Sequence, residues 1–213
     1  MLPGKYRAIR GAYRCCFGQW ILCGAWVLME TRQREWEQRY REGKTGWDRG
    51  TVSPALAYWL DRDRVPRGRV LVPGCGHGHE VVELIRAGCA VTAVDIAAQP
   101  VMRLKGALAE SGLHANVVQA DLLRWRPAEP FDAVYEQTCL CALDPAHWAD
   151  YEQRLADWLL PGGSLLALFM RTGGDGGPPF DCPMPDMRAL FAAQRWQWPV
   201  GQALEVPHPN GLL

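Results

Sequence analysis

Beyond Gly68 the chain alternates short, continuously apolar runs with longer amphipathic stretches. Arg69–Val72, Ala90–Val94, Asn116–Gln119, Phe131–Tyr135 and Ser164–Met170 read as strands buried on both faces. Glu80–Ala87, Gln99–Ser111 and Ala146–Leu159 carry apolar residues at helical spacing, and Gly88, Gly112 and Pro161-Gly162-Gly163 close them. Upstream, Glu30–Glu42 is a charged helix with Trp36 and Tyr40 one turn apart. Lys44–Gly50 is a glycine-bearing loop, and Ser53-Pro54 caps a helix carrying Leu56, Trp59 and Leu60. Strands alternating with helices predict an α/β fold. It is a Rossmann-like, doubly wound, mostly parallel sheet with helices on both faces. The tail after Trp198 is short and rich in proline, so a C-terminal strand is expected to be missing through truncation.

In such a sheet, ligands bind beyond the carboxyl ends of the strands, and the polar residues of interest cluster there. The first strand runs into Pro73-Gly74-Cys75-Gly76-His77-Gly78, where backbone can approach a ligand that a side chain would block. Asp95, at the tip of the next strand, can accept hydrogen bonds from both hydroxyls of a ribose. Asp121 follows the third strand and reads as an acceptor for an adenine amino group, with Leu122 donating from its backbone. The competing reading of Asp121 is a turn cap. Dinucleotides call for G-x-G-x-x-G, whereas these glycines stand as G-x-G-x-G, and position 79 is histidine. That spacing favours the methionine-derived tail of S-adenosylmethionine over a pyrophosphate, and leaves a dinucleotide-dependent oxidoreductase as the alternative.

Composition narrows the partners. The 213 residues allow one α/β domain, and the formal net charge of zero points away from nucleic acid and toward a small-molecule partner. The eight cysteines include no C-x-x-C pair, so no metal is expected from cysteine spacing, and a reducing cytoplasm is the expected location. Residues 1–28 have a basic start and an apolar stretch too short to span a bilayer. They are read as an extension before a catalytic domain at 29–213. No membrane association is expected, and the working unit is expected to be a monomer.

Several stretches together resemble the thiopurine S-methyltransferase family, and within it the branch of plant halide and thiol methyltransferases. They are Trp36–Tyr40, Gly43–Asp48, Val72–Gly76, Val94-Asp95-Ile96, Phe131-Asp132 with Cys141-Ala142-Leu143, Leu160–Gly163 and Gly176–Phe180. The resemblance implies a class I methyltransferase fold and S-adenosylmethionine as cofactor. It implies that Trp36 packs on the cofactor, that Trp47 roofs the site, and that the turn Pro73-Gly74-Cys75-Gly76 with Asp95 and Ile96 holds it. Mammalian thiopurine enzymes carry Asp-Arg after the fourth strand and the halide and thiol branch Asp-Tyr, where this chain has Glu136-Gln137. Gln137 therefore matches neither, and the acceptor is left open.

Methyl transfer from a sulfonium needs alignment more than acid–base help, and soft nucleophiles such as thiolates or halides need little or no general base, because a thiol with a pKa near neutrality ionises by itself. The expected activity is transfer to a small thiol, thiopurine-like, halide or chalcogen acceptor. Glu136 is placed at the cofactor or acceptor, and Trp47, Gln137 and Phe180 at the acceptor. His77 and His79 are read as polar residues of a helix start. A second alternative is a binding module that has lost turnover.

Overall fold

The computed structural model describes residues 31–201 and 203–209. The expected extension at 1–28 lies outside the described residues. Residues 31–41 form α1, ended by Gly43 in the left-handed conformation. Helix α2 (Pro54–Leu60) starts where the Ser53 hydroxyl accepts the Ala55 amide, as the Ser-Pro pair predicts. Then come β1 (Arg69–Pro73), α3 (His79–Arg86), β2 (Ala90–Asp95), α4 (Ala98–Glu110), β3 (Asn116–Gln119) and β4 (Phe131–Gln137). Two short 3-10 turns, α5 (Trp148–Trp158), β5 (Leu159–Leu168) and α6 (Met184–Leu190) complete the order.

The five strands pair in the order β3-β2-β1-β4-β5, and every pairing is parallel. The chain builds outward from β1 to β3, then crosses back to lay β4 on the other side of β1. The crevice between β1 and β4 is thus the switch point where this fold binds its ligand. β5 starts at Leu159, directly after α5 and earlier than its apolar run indicates, because Pro161-Gly162-Gly163 ride within the strand as a register shift opposite Phe131 and Ala133. Among the described residues, no strand follows β5.

Two apolar layers hold the sheet. On one face Val70, Val72, Ala133 and Tyr135 meet Leu56, Val81, Leu84 and Leu104 of α2, α3 and α4. On the other, Leu71, Val94 and Val134 meet Tyr151, Leu155 and Trp158 of α5 and Met187 of α6. Each fully buried leucine here contributes on the order of 2–3 kcal/mol. Successive β4 residues alternate between these layers, which decides where its functional side chains point. No helix among the described residues is long and apolar enough to cross a membrane.

Candidate functional site

The glycine turn follows β1 at the switch point. Gly74, Gly76 and Gly78 all have left-handed φ, at 59°, 50° and 77°. Their missing side chains matter as much as their dihedrals. A Cβ on Gly74 would stand 2.9 Å from Cys139 Sγ, and one on Gly78 only 2.4 Å from Leu104 Cδ1. At Gly76 the space is taken by Tyr40 Oη of α1, 3.2 Å from where a Cβ would sit.

Asp95 closes the turn from β2. Its Oδ2 accepts the Gly76 amide and its Oδ1 the Ala97 amide, both at 2.9 Å. Burial pushes this carboxyl up, while those amides pull the other way. Each oxygen keeps lone-pair capacity for a further donor such as a ribose hydroxyl. The turn, the carboxylate and the switch-point crevice therefore fit S-adenosylmethionine.

An aromatic group covers the turn. Trp36 and Trp47 meet edge to face at 5.4 Å, Tyr40 and Trp47 at 5.7 Å, and Tyr40 and His77 at 5.5 Å. The Trp47 loop is thus clamped between α1 and the turn. Two polar contacts dock α1 further along. Arg32 Nη2 lies 2.6 Å from Asp121 Oδ2, and the Ala98 amide donates to Glu37 Oε1. Asp121 also caps its own turn, accepting the Leu123 amide at 3.0 Å. The readings of Asp121 as an acceptor for an adenine amino group and as a turn cap meet a third fact: an ion pair with Arg32 already holds one oxygen of this buried carboxylate.

One cavity runs beneath the Trp47 loop. It is lined by Trp47, Asp48, the turn from Pro73 to His79, Glu80, Tyr135, Gln137 and Thr138. Of the residues expected at the cofactor, Trp47, Pro73, Gly74, Cys75 and Gly76 line this cavity, together with Gln137 from the acceptor set. Trp36, Asp95, Ile96, Asp121 and Leu122 lie outside its lining, toward α1 and the ends of β2 and β3. Gln137 is oriented by Tyr135, whose hydroxyl donates to its Oε1 at 2.6 Å. Thr138 follows in the left-handed region at φ 58°, a strained state for a β-branched residue and a common mark of functional turns.

Glu136 and Phe180 also lie outside the lining of this cavity. Glu136 is only 1% exposed and takes the opposite face of the strand from Tyr135 and Gln137. Its Oε1 accepts the amides of Cys139 (2.9 Å) and Leu140 (2.7 Å), while Oε2 has no hydrogen-bond partner. Burial pushes its carboxyl up to about 7 against those two amides. Strand alternation explains this, since Tyr135 and Gln137 share one face and Glu136 takes the other. Phe180 does not join Trp47 and Gln137; its amide donates to the Cys141 carbonyl at 2.8 Å, over the 3-10 turn after β4. Asp132, also in β4, sits at the far end of the strand, where its carboxylate accepts the Arg69 amide.

Asp48 was not expected to act with the histidines, yet it joins both. His77 Nδ1 lies 2.5 Å from its Oδ2 and His79 Nε2 2.9 Å from its Oδ1. Burial raises the Asp48 carboxyl, but the Gly50 amide and both imidazoles outweigh it and hold it below its ordinary value. The five described cysteines are all free and buried, and burial pushes every one of their thiols up, Cys182 to about 12. They act as apolar filling rather than nucleophiles.

A parallel sheet of this order with a G-x-G-x-G turn and an acidic β2 tip defines the class I methyltransferase fold. A solved Burkholderia thailandensis 1,6-didemethyltoxoflavin-N1-methyltransferase, with bound 1,6-didemethyltoxoflavin and S-adenosylhomocysteine, superposes with a TM-score of 0.63 at 20% identity, covering 79% of this chain and 76% of that one. A structure from work on converting a disulfide bond into a thioacetal group during echinomycin biosynthesis reaches 0.67 at 22% identity, covering 76% and 77%. In sequence, a model of the thiopurine S-methyltransferase (TPMT) family matches residues 31–206. The chain belongs to that family and is an S-adenosylmethionine-dependent S-methyltransferase. The oxidoreductase alternative falls with this assignment. A probable thiol methyltransferase 2 of Arabidopsis thaliana is 33% identical over 78% of this chain and 74% of its own length. A thiocyanate methyltransferase 1 of Brassica oleracea is 32% identical over 68% and 66%, and a thiopurine S-methyltransferase of Pseudomonas putida is 30% identical over 76% and 82%.

Proposed function

We propose that this enzyme methylates the sulfur of a small anionic acceptor, a thiolate or a thiocyanate-like ion, in the cavity beneath Trp47. The observation that carries the reading is that one cavity joins the glycine turn to Trp47, Gln137 and Thr138. An amide, a hydroxyl and an indole edge suit a compact, polarisable anion. When bound, S-adenosylmethionine supplies an electrophilic methyl on a sulfonium.

The chain's own residues divide the remaining work. Trp36, Trp47, the turn Pro73–Gly76, Asp95, Ile96, Asp121 and Leu122 hold the cofactor, and Gln137 orients the acceptor. Tyr135 fixes Gln137, leaving the amide nitrogen free to donate to an anion. Glu136 acts from behind, pinning the backbone of Cys139 and Leu140 so that Thr138 keeps its strained place at the cavity wall. The aromatic group covers the turn, and fixed alignment of the two reactants supplies on the order of 7–11 kcal/mol of barrier lowering. The relatives act on thiol, thiocyanate or thiopurine acceptors by name. Free buried thiols fit a reducing, cytoplasmic setting.

A methyl-acceptor screen with small thiols, thiocyanate, iodide, a thiopurine and tellurite tests the proposal. Methylated sulfur products are expected first. Activity confined to nitrogen or oxygen acceptors would overturn it.

A further inference from the structure

Asp48, His77 and His79 come together from two segments of the chain, the Trp47 loop and the glycine turn. One potential ligand atom from each lies within 4.8 Å of the others. The arrangement is held by the backbone. Gly78, at φ 77°, reverses the chain between the two histidines, and the Gly50 amide fixes Asp48 Oδ1 at 2.9 Å. Tyr40 packs edge-on against His77, and His77 against His79 at 6.4 Å. The side chains are 20%, 10% and 32% exposed for Asp48, His77 and His79, so the group is neither a solvated surface patch nor sealed off.

Two imidazoles and one carboxylate, all on the wall of a cavity, make the donor set of an open site for a divalent ion. We propose that Asp48, His77 and His79 form a binding site for a zinc-type divalent ion, with its open position toward the cavity shared with Gln137 and Thr138. The contacts now made through hydrogens are the ones the ion replaces. A neutral imidazole that binds through Nδ1 or Nε2 keeps its proton on the other nitrogen, so binding needs a tautomer change and small shifts of the rings. Asp48 cancels half of the ion's charge, which leaves the site attractive to one anion.

The extension to catalysis rests on the sulfur-acceptor reading above. An acceptor thiol that enters the open position gives its S–H proton to solvent and donates a sulfur lone pair to the ion. A coordinated thiol is deprotonated outright, so the acceptor is presented as thiolate at neutral pH. The ion supplies no electrons and undergoes no redox change in this step.

Cobalt(II), added to the untagged full chain after chelator treatment, is the probe. Visible d–d bands are expected, with no sulfur-to-cobalt charge-transfer band until a small thiol is added. His77→Ala and His79→Ala should each weaken cobalt binding at least roughly tenfold, as loss of one of three ligands requires. Asp48→Asn should do the same, and S-adenosylhomocysteine binding by each variant reports that it is folded. The proposal is overturned if wild-type protein that binds S-adenosylhomocysteine shows no cobalt bands. It is also overturned if the bands survive both histidine substitutions, or carry sulfur charge transfer before any thiol is present, since the ion then sits on cysteine. Failure of the acceptor screen with an intact cobalt spectrum would strike the sulfur-acceptor reading and leave the metal site standing.

Discussion

Replacing Glu136 by glutamine tests whether this carboxylate is a buried turn anchor rather than a cleft residue. Its carboxyl is pushed from an ordinary 4.5 to about 7, chiefly by burial, with the Leu140 and Cys139 amides opposing. A raised folded-state value means that the folded protein holds the proton more tightly than the unfolded chain. Stability linked to Glu136 is therefore complete below about pH 4.5 and is lost as the pH climbs through about 7. The gap between the two values corresponds to about 3 kcal/mol. Glutamine keeps an oxygen for the two amides and never ionises. Glu136→Gln should thus match wild type near about pH 4 and exceed it near about pH 8 by up to about 3 kcal/mol. For a domain of this size that is a difference of roughly 6–12 °C in Tm. Thermal and urea denaturation of both proteins at each pH would measure it. Other titrating groups are shared by the two proteins, so their contributions cancel in the difference. A wild-type-to-variant difference that does not change with pH would refute the reasoning.

Two further outcomes follow from single contacts. Gly78→Ala forces a Cβ into 2.4 Å of Leu104 Cδ1 at a left-handed φ, so it should destabilise the fold by about 2–4 kcal/mol in urea denaturation. A loss below about 0.5 kcal/mol would mean that Leu104 and the turn yield freely. Arg32→Ala removes the partner that pairs α1 to Asp121 at 2.6 Å, and should speed both association and release of S-adenosylhomocysteine in stopped-flow tryptophan fluorescence. Unchanged rates would show that α1 does not limit access.

Much of this architecture was legible in the chain. The continuous apolar runs marked all five strands, because a strand covered on both faces has no polar alternation to confuse with a helix. The turn glycines were legible too, but only as a ligand cradle. That Tyr40, Leu104 and Cys139 fill the space beside them depends on tertiary packing. The side of the sheet that Glu136 takes was legible as well. Counting alternate residues from the apolar Ala133 and Tyr135 places Gln137 on their face and Glu136 on the other. The Arg32–Asp121 pair spans 89 residues, and the Asp48 contacts to His77 and His79 span 29 and 31. Nothing in local pattern connects groups so far apart. The histidines looked like helix-start residues because His79 does begin α3, and only the Trp47 loop folding over the turn gives them a shared partner.

The claim on which the rest depends is that the glycine turn and Asp95 hold S-adenosylmethionine. Calorimetric titration of the full chain with S-adenosylhomocysteine tests it most directly, with Asp95→Ala and Asp95→Asn in parallel and circular dichroism to confirm that each is folded. One-to-one binding by wild type is predicted, weakened by at least about 1.4 kcal/mol, or tenfold, in both variants. No heat of binding from folded wild type, or undiminished affinity in a folded Asp95→Ala protein, would contradict the assignment of the site.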